Sequence, residues 1–261
     1  MTKIYAIANQ KGGVGKTTSV INLSSYLASS GRRTLMVDID PQANATSGLG
    51  YDKYSLTKST YDLLLQQATL DEILLQNQEG CLDLLPAHPS LSGAEVELVH
   101  AIGREYRLQQ VLDAINGRYD YILIDCPPSL SLLTVNALAA ARDGVIIPVQ
   151  CEYLALEGLT QLAQTIELVN KYLNPQLTIR GLIMTMYDSR TNLSRQVVEE
   201  VRSYFPGKVF KTIVPRNVRL SEAPSYGQPI NIYAPNSPGA IAYKVLAAEL
   251  IKGDLAQGGS A

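Results

Sequence analysis

Tryptophan is absent from this chain of 261 residues, and phenylalanine (two), histidine (two) and cysteine (three) are scarce. Each shortage narrows what the protein can be. Cys81, Cys126 and Cys151 are widely spaced and form no Cys-x-x-Cys pair, so no disulfide framework is expected and a reducing compartment suits the chain. His88 and His100 stand alone, and ordinary surface or core positions account for both better than catalysis does. No nucleophile–base constellation competes for attention. No apolar run approaches the ~18 residues that span a bilayer. The first apolar stretch, residues 4–8, runs straight into a glycine-rich turn, so a signal peptide is not expected. There is no repeat and no low-complexity linker. With 46% apolar residues, the length suits one large α/β domain with a substantial core.

What is present begins at Lys11-Gly12-Gly13-Val14-Gly15-Lys16-Thr17-Thr18. The segment lies between a short apolar run and a helix-like pattern, Ser19-Val20-Ile21-Asn22-Leu23. A glycine-rich turn that opens a helix aims several backbone N–H groups at one spot, with the helix dipole behind them, and such a spot binds phosphate. Gly15-Lys16-Thr17 is the usual ending of a P-loop: the lysine reaches the β- and γ-phosphates and the threonine hydroxyl ligates Mg²⁺. The beginning departs from the standard pattern. Gln10 stands where the first glycine belongs, and a second lysine, Lys11, follows it. A tight turn needs no second cation to fold, so Lys11 is expected to have a functional role.

Acidic residues at strand ends extend the site. Asp38-Ile39-Asp40-Pro41-Gln42 follows a second apolar run, and period-two alternation puts Asp38 and Asp40 on one side of an extended chain. Asp125-Cys126-Pro127-Pro128 follows a central apolar run. An acid in that place beside a P-loop is the usual Mg²⁺ partner, often through water. An Asp before Pro is also a common turn opener, and either acid alone would fit that role. Together with the loop they point to phosphoryl transfer to water, which needs positioning and charge neutralisation rather than covalent help. The expected catalytic residues are Lys11, Lys16 and Asp40, with Asp40 orienting the water. Thr17, Asp40 and Asp125 are the expected metal partners, and Asp38 is expected to support the loop and the metal shell.

Apolar β-type runs alternate with helical patterns along the chain. Strands are expected at residues 4–8, 34–37, 82–85, 121–124, 144–149, 178–184 and 209–214. Helices are expected at 17–29, 60–66, 104–115, 132–141, 156–173, 193–204 and 240–251. Several strands are apolar throughout, as parallel strands covered on both faces are. The expectation is an α/β fold: a single-domain, doubly wound, mostly parallel sheet flanked by helices, with ligands beyond the carboxyl ends of its strands. The domain is placed at residues 1–252, and 253–261, small and polar, are expected to be a flexible tail. Net charge is −2, yet residues 171–219 hold nine Lys/Arg against three acids. That asymmetry suggests either a polyanion-binding face or a solvated basic surface.

These residues together resemble the ParA/MinD family of P-loop ATPases with a deviant Walker A motif, and within it the chromosomal, Soj-type ParA group. The likeness runs through NQKGGVGKTT, VDIDPQANATSGLG, YILIDCPPSL, PVQCEYLALEGL and PRNVRLSEAPSYGQPI, and covers residues 3 to about 250. It implies ATP and Mg²⁺ as ligands, with residues 11–18 on the phosphates. Lys11 matches the signature lysine, which in the family reaches the partner subunit's nucleotide in an ATP-sandwich dimer. Pro215 and Asn217 match a loop flanking the adenine, and Met186 is a further base contact. A Pro-x-Asn loop after a β-run could also be only a turn. Arg190 matches a DNA-contacting arginine, with Lys211, Arg216 and Arg219 as further DNA-binding candidates. The resemblance also implies non-specific double-stranded DNA binding, a ParB-type partner that stimulates hydrolysis through an N-terminal peptide, and a cytoplasmic, nucleoid-associated protein. The helix-turn-helix extension of larger plasmid relatives is not seen. Three alternatives stay open: a positioner of another cargo, a MinD-like membrane switch, and a redox ATPase built on Cys126. The switch would need a basic amphipathic C-terminal helix, which Glu249 to Gly258 supply poorly.

Overall fold

A computed structural model describes residues 2–76, 81–153 and 155–258. Its strands are β1 (Lys3–Ile7), β2 (Thr34–Asp38), β3 (Leu82–Leu85), β4 (Tyr121–Asp125), β5 (Gly144–Gln150) and β6 (Ile179–Thr185). They form one sheet in the order β3-β2-β4-β1-β5-β6, and every pairing is parallel. The expected doubly wound sheet is therefore present. β1 lies between β4 and β5, so the loop leaving it emerges at the crevice where the strand order reverses.

Alternation along the strands distributes two cores. Ile4, Ala6, Leu35, Val37, Ile122 and Ile124 face one side, which the helices Arg107–Ala114, Leu132–Ala140, Ala155–Tyr172 and Asn192–Tyr204 cover. Tyr5, Ile7, Met36, Tyr121, Leu123 and Ile146 face the other, covered by the helices Lys16–Ser29 and Pro238–Gly258, which pack on each other. The register then sets the acids: Ile7 pairs with Asp125 and Asp125 with Asp38, so Asp125 leaves the sheet beside the end of β1 and Asp38 one strand further on.

Two expectations change. Residues 209–214 do not form a regular seventh strand. Lys208 and Phe210 bond to Leu182, and Val214 N donates to Met184 O, but the chain lifts away between them. There the Glu249 carboxylate accepts from Lys211 N at 2.7 Å, Thr212 N at 3.0 Å and Thr212 Oγ1 at 2.7 Å, and so takes the Thr212 N–H that a strand paired with β6 would have used. The second change is at the end of the domain. The last helix runs on through Gly258, past the boundary placed at residue 252. Asp254, within the expected tail, is buried; its Oδ1 accepts from Tyr5 Oη at 2.7 Å and Arg180 Nη2 at 2.9 Å, and its Oδ2 from Tyr121 Oη at 3.1 Å. The Arg180–Asp254 side chains are only 13% and 4% exposed. Removing one partner of a buried pair strands the other charge, so Asp254→Ala should destabilise the fold by about 3–5 kcal/mol. Lys252→Ala, exposed two residues earlier, should stay within about 0.5 kcal/mol. Urea unfolding of both variants checks the contrast, because a frayed tail would make the two equally harmless.

Candidate functional site: a P-loop between two strand-end carboxylates

β1 leaves the sheet at Ala8, whose N–H still donates to Ile146 O at 3.2 Å. The chain then turns through Gly13 (φ 75°) and Gly15 (φ 90°) into the helix Lys16–Ser29. A side chain at φ 90° is strained, so Gly15 is the residue that lets the turn enter the helix. That helix has no side-chain cap and no acid in its first turn, so its leading N–H groups are available to an anion. Thr185 Oγ1 donates to Val14 O at 2.8 Å and ties the loop to the end of β6. Lys16 is 7% exposed, and its Nζ donates to Lys11 O at 3.3 Å. Burial lowers its pKa, and the facing Asp125 and Asp40 oppose that. The half-buried Lys11 donates its backbone N–H to Asn9 Oδ1 at 3.0 Å.

The carboxylates differ in what holds them. Thr17 Oγ1 donates to Asp125 Oδ2 at 2.8 Å, while Asp125 Oδ1 is buried without a partner. Asp38 is saturated: its Oδ2 accepts from Thr46 N at 2.8 Å and Thr46 Oγ1 at 2.7 Å, and its Oδ1 accepts from Asp40 N at 3.1 Å. Thr46 Oγ1 in turn accepts from Ala87 N, so Asp38 fastens two loops around the site. Asp40 is buried, and its Oδ1 accepts from Gln42 N at 2.8 Å. Burial pushes Asp125 well above the usual carboxylate range, and the neighbouring Asp38 adds to it; burial raises Asp38 too, against its hydrogen bonds from Thr46. The pair is thus an anionic site short of positive charge, and the orphaned Asp125 oxygen beside the Thr17 hydroxyl suits a cation or its water. Among the described residues no three His, Cys, Asp or Glu side chains converge as a self-sufficient metal site. The donor set therefore fits a hard cation that keeps water and phosphate ligands.

A cavity of about 200 Å³ opens beside the loop, lined by Gly15, Thr18, Met186, Pro215, Asn217 and Tyr243 among others. Pro215, Asn217 and Met186, expected around a base, thus meet Gly15 and Thr18 of the phosphate loop. Met186 has φ 53°, a strained conformation for a residue with a side chain, held by Tyr187 N donating to Val214 O and Arg216 N to Tyr187 O. Asn217 Oδ1 accepts from Arg219 N at 3.0 Å and caps the helix Val218–Glu222. The turn reading of Pro-x-Asn and the ligand reading therefore coexist. Tyr243 and Thr185 were not expected here. Tyr243 Oη pairs with Ser19 Oγ at 3.0 Å across 224 residues of sequence, a contact without local signal.

The family model for the AAA domain matches residues 2–179. Sporulation initiation inhibitor protein Soj of Bacillus subtilis (strain 168) is 57% identical over 250 residues, covering 96% of this chain and 98% of that protein. The chain belongs to the ParA/Soj family of P-loop ATPases. Chromosome partitioning protein ParA of Myxococcus xanthus (strain DK1622) is 56% identical over 252 residues, covering 97% of this chain and 89% of that one. A solved structure named cobyrinic acid a,c-diamide synthase from Mycobacterium smegmatis, with bound ADP and magnesium, is 41% identical with a TM-score of 0.85, covering 97% of this chain and 95% of that one. Its name describes a different chemistry from that of the partitioning relatives, which are more alike in sequence. The Cyanothece McdA(D38A)-ATP complex also reaches a TM-score of 0.85 at 21% identity, over 96% of each chain, a likeness of fold alone.

In this ParA/Soj chain the candidate DNA-binding residues separate. Arg190 is 84% exposed, and its guanidinium forks onto Asp188 of the same turn at 2.9 and 2.7 Å, holding that carboxyl down to about 2. Arg216 reaches Glu152 at 3.1 Å and Arg219 reaches Glu222 at 2.8 Å. The turn with Arg190 and the loop with Arg216 and Arg219 are joined at the Tyr187–Pro215 bridge, on the carboxyl side of β6. Lys211 does not join them. It lines a groove on the last helix beside Glu249 and Lys252. Arg180, counted in the basic segment, belongs to the buried ion pair and offers no charge to solvent.

Proposed function

We propose that this ParA/Soj chain hydrolyses ATP at the interface of an ATP-sandwich dimer, holds double-stranded DNA without sequence preference in that state, and segregates DNA with a ParB-type partner that stimulates hydrolysis. The observation that carries the reading is a second cation, Lys11, on a loop that already carries Lys16 at the start of its helix. Two lysines on one phosphate loop are explained if one serves the partner's nucleotide. Soj- and ParA-named relatives at 57% and 56% identity support the cellular role.

The geometry supports the following roles. Gly12 to Thr18 would cradle the phosphates, with Lys16 on the β/γ oxygens. The cavity floored by Met186, Pro215 and Asn217 would take the base. Thr17 and, through water, Asp125 would hold Mg²⁺, with Asp40 nearby. Bound there, Mg²⁺ neutralises developing charge on the phosphates. Asp40 would orient the attacking water, while Asp38, fully occupied by Thr46 and Asp40, keeps that carboxylate's loop in place.

The membrane-switching alternative loses support, because Asp254 pins the end of the last helix into the core. No helix among the described residues is long and apolar enough to cross a membrane. DNA affinity is tested by Arg190→Ala. Anisotropy titrations of a mixed-sequence duplex with ATP, at several salt concentrations, should give weaker binding and a log–log salt slope smaller by about 1 per lost phosphate contact. Nucleotide affinity should not change. An unaltered slope would move the DNA face away from the Arg190 turn.

A further inference from the structure

We propose that Asn9 is a positioning residue for Lys11: its side chain holds the start of the loop so that the Lys11 amine is presented outward to a second subunit. The inference rests on the sandwich reading above and adds a part to it.

The argument starts at the point where β1 leaves the sheet. Ala8 N donates to Ile146 O, the last backbone rung between β1 and β5. In a parallel ladder the next acceptor on β5 is two residues on, at Pro148. No backbone N–H of the loop reaches it, because the chain has turned away. Asn9 Nδ2 donates to Pro148 O instead, at 2.8 Å. The amide side chain thus supplies one more rung while the backbone departs. The same side chain's Oδ1 accepts from Lys11 N at 3.0 Å, an Asx-turn that fixes the direction of residues 10 and 11.

Asn9 is 5% exposed; its contact with Pro148 is buried and that with Lys11 partly so, and an unmatched amide there would be costly. The helix Ala155–Tyr172 closes the other side. A Cβ on Gly158 would stand 3.8 Å from Asn9 Oδ1 and 4.0 Å from Lys11 Cβ, so this glycine lies against both residues. Lys11 is held from beneath by Asn9 and flanked by Gly158, while Gly12 and Gly13 have open space around them. A lysine that must reach across an interface gains from such a base, since fixing the backbone in advance lowers the ordering cost of association. Neither side-chain hydrogen bond of Asn9 goes to a residue lining the cavity, to Thr17 or to Lys16; the one link onward is the Lys11 carbonyl, which accepts from Lys16 Nζ. Lys16 keeps its place in the first turn of the helix Lys16–Ser29, so the effect should fall on association far more than on the subunit's own nucleotide.

The test compares Asn9→Ala, Lys11→Ala and the double variant. Dimerisation with ATP is followed by analytical ultracentrifugation, ADP binding by fluorescence titration, and hydrolysis over a range of protein concentrations. With two hydrogen bonds lost per subunit, Asn9→Ala should weaken the ATP dimer by about tenfold or more. ADP affinity should stay at the wild-type value. Hydrolysis per subunit should be low when dilute and recover as protein concentration rises, which a misfolded loop would not do. The double variant should dimerise no worse than Lys11→Ala, because the two residues act through one contact. The proposal is overturned if Asn9→Ala dimerises like wild type, if ADP binding falls in parallel, or if the two losses add. Lys11→Ala separates the layers: normal dimerisation by that variant sinks the sandwich reading itself, whereas its failure beside a normal Asn9→Ala sinks only the positioning role.

Discussion

Asp40→Ala should bind ATP, dimerise, and then stop. The substitution leaves the phosphate loop, Lys16 and the Thr17–Asp125 contact in place. It removes a buried carboxylate whose Oδ1 holds Gln42 N and whose own N–H is anchored on Asp38. Anchored at both ends, Asp40 has little freedom to move, which is what a group orienting a water needs. Losing one such group costs about 10²–10⁴-fold in rate in comparable acid–base roles. The expected result is steady-state hydrolysis lower by about that factor, with ATP recovered from the dimer peak after gel filtration and DNA held persistently. The loop should survive, because Asp38 keeps its two bonds from Thr46 and Thr60 Oγ1 still donates to Asp38 O. Turnover near the wild-type rate would assign the water to another group.

Asp38 shows how far the sequence could be read. Its place at a strand end, its spacing from Asp40 and its nearness to a P-loop were all visible in the residue pattern. Its supporting role was expected too, but the partner through which it acts was not, because Thr46 lies in the five-residue helix Asn44–Gly48, too short for a periodic signal. The strands read well for a related reason. Buried on both faces, they are continuous apolar runs, and β1, β2 and β4 appear where the runs are. Residues 209–214 carried the same signal and failed, since Glu249, almost forty positions later, takes the Thr212 N–H a strand requires. The tail failed in the same way. Gly253-Asp254 reads as polar and loose until Arg180, Tyr5 and Tyr121 converge on the aspartate. Local pattern conveys propensity, and a distant charged partner overrides it. The candidate phosphate loop and its neighbouring acids were legible because they are backbone turns and strand ends encoded next to one another. The cavity beside the loop was half legible: Pro215 and Asn217, named from resemblance, line it, whereas Tyr243 reaches it only because the last helix packs on the first.

Lys11→Ala should abolish the ATP-dependent dimer while leaving some nucleotide binding by the single subunit. The subunit's own phosphates would still meet the free N–H groups at the start of the helix Lys16–Ser29 and the amine of Lys16. What is lost is the second amine of the loop. Lys11 bonds to Asn9 only through its backbone N–H, so truncating the side chain removes no contact that shapes the turn. A two-fold dimer would contain the missing contact twice. Truncating one partner of a desolvated charge pair costs about 2–5 kcal/mol, so two losses should raise the dimer Kd by about 10³-fold or more. Sedimentation with Mg·ATP or a slowly hydrolysed analogue should show only single subunits at concentrations where wild type is fully paired. DNA binding should vanish with the dimer, even though Arg190, Arg216 and Arg219 are untouched. That joint loss is the decisive feature, because a mere phosphate-affinity defect would be repaired by raising ATP. If saturating ATP restores the dimer and the DNA complex, Lys11 serves its own subunit's nucleotide, and the two copies are joined by something other than their triphosphates.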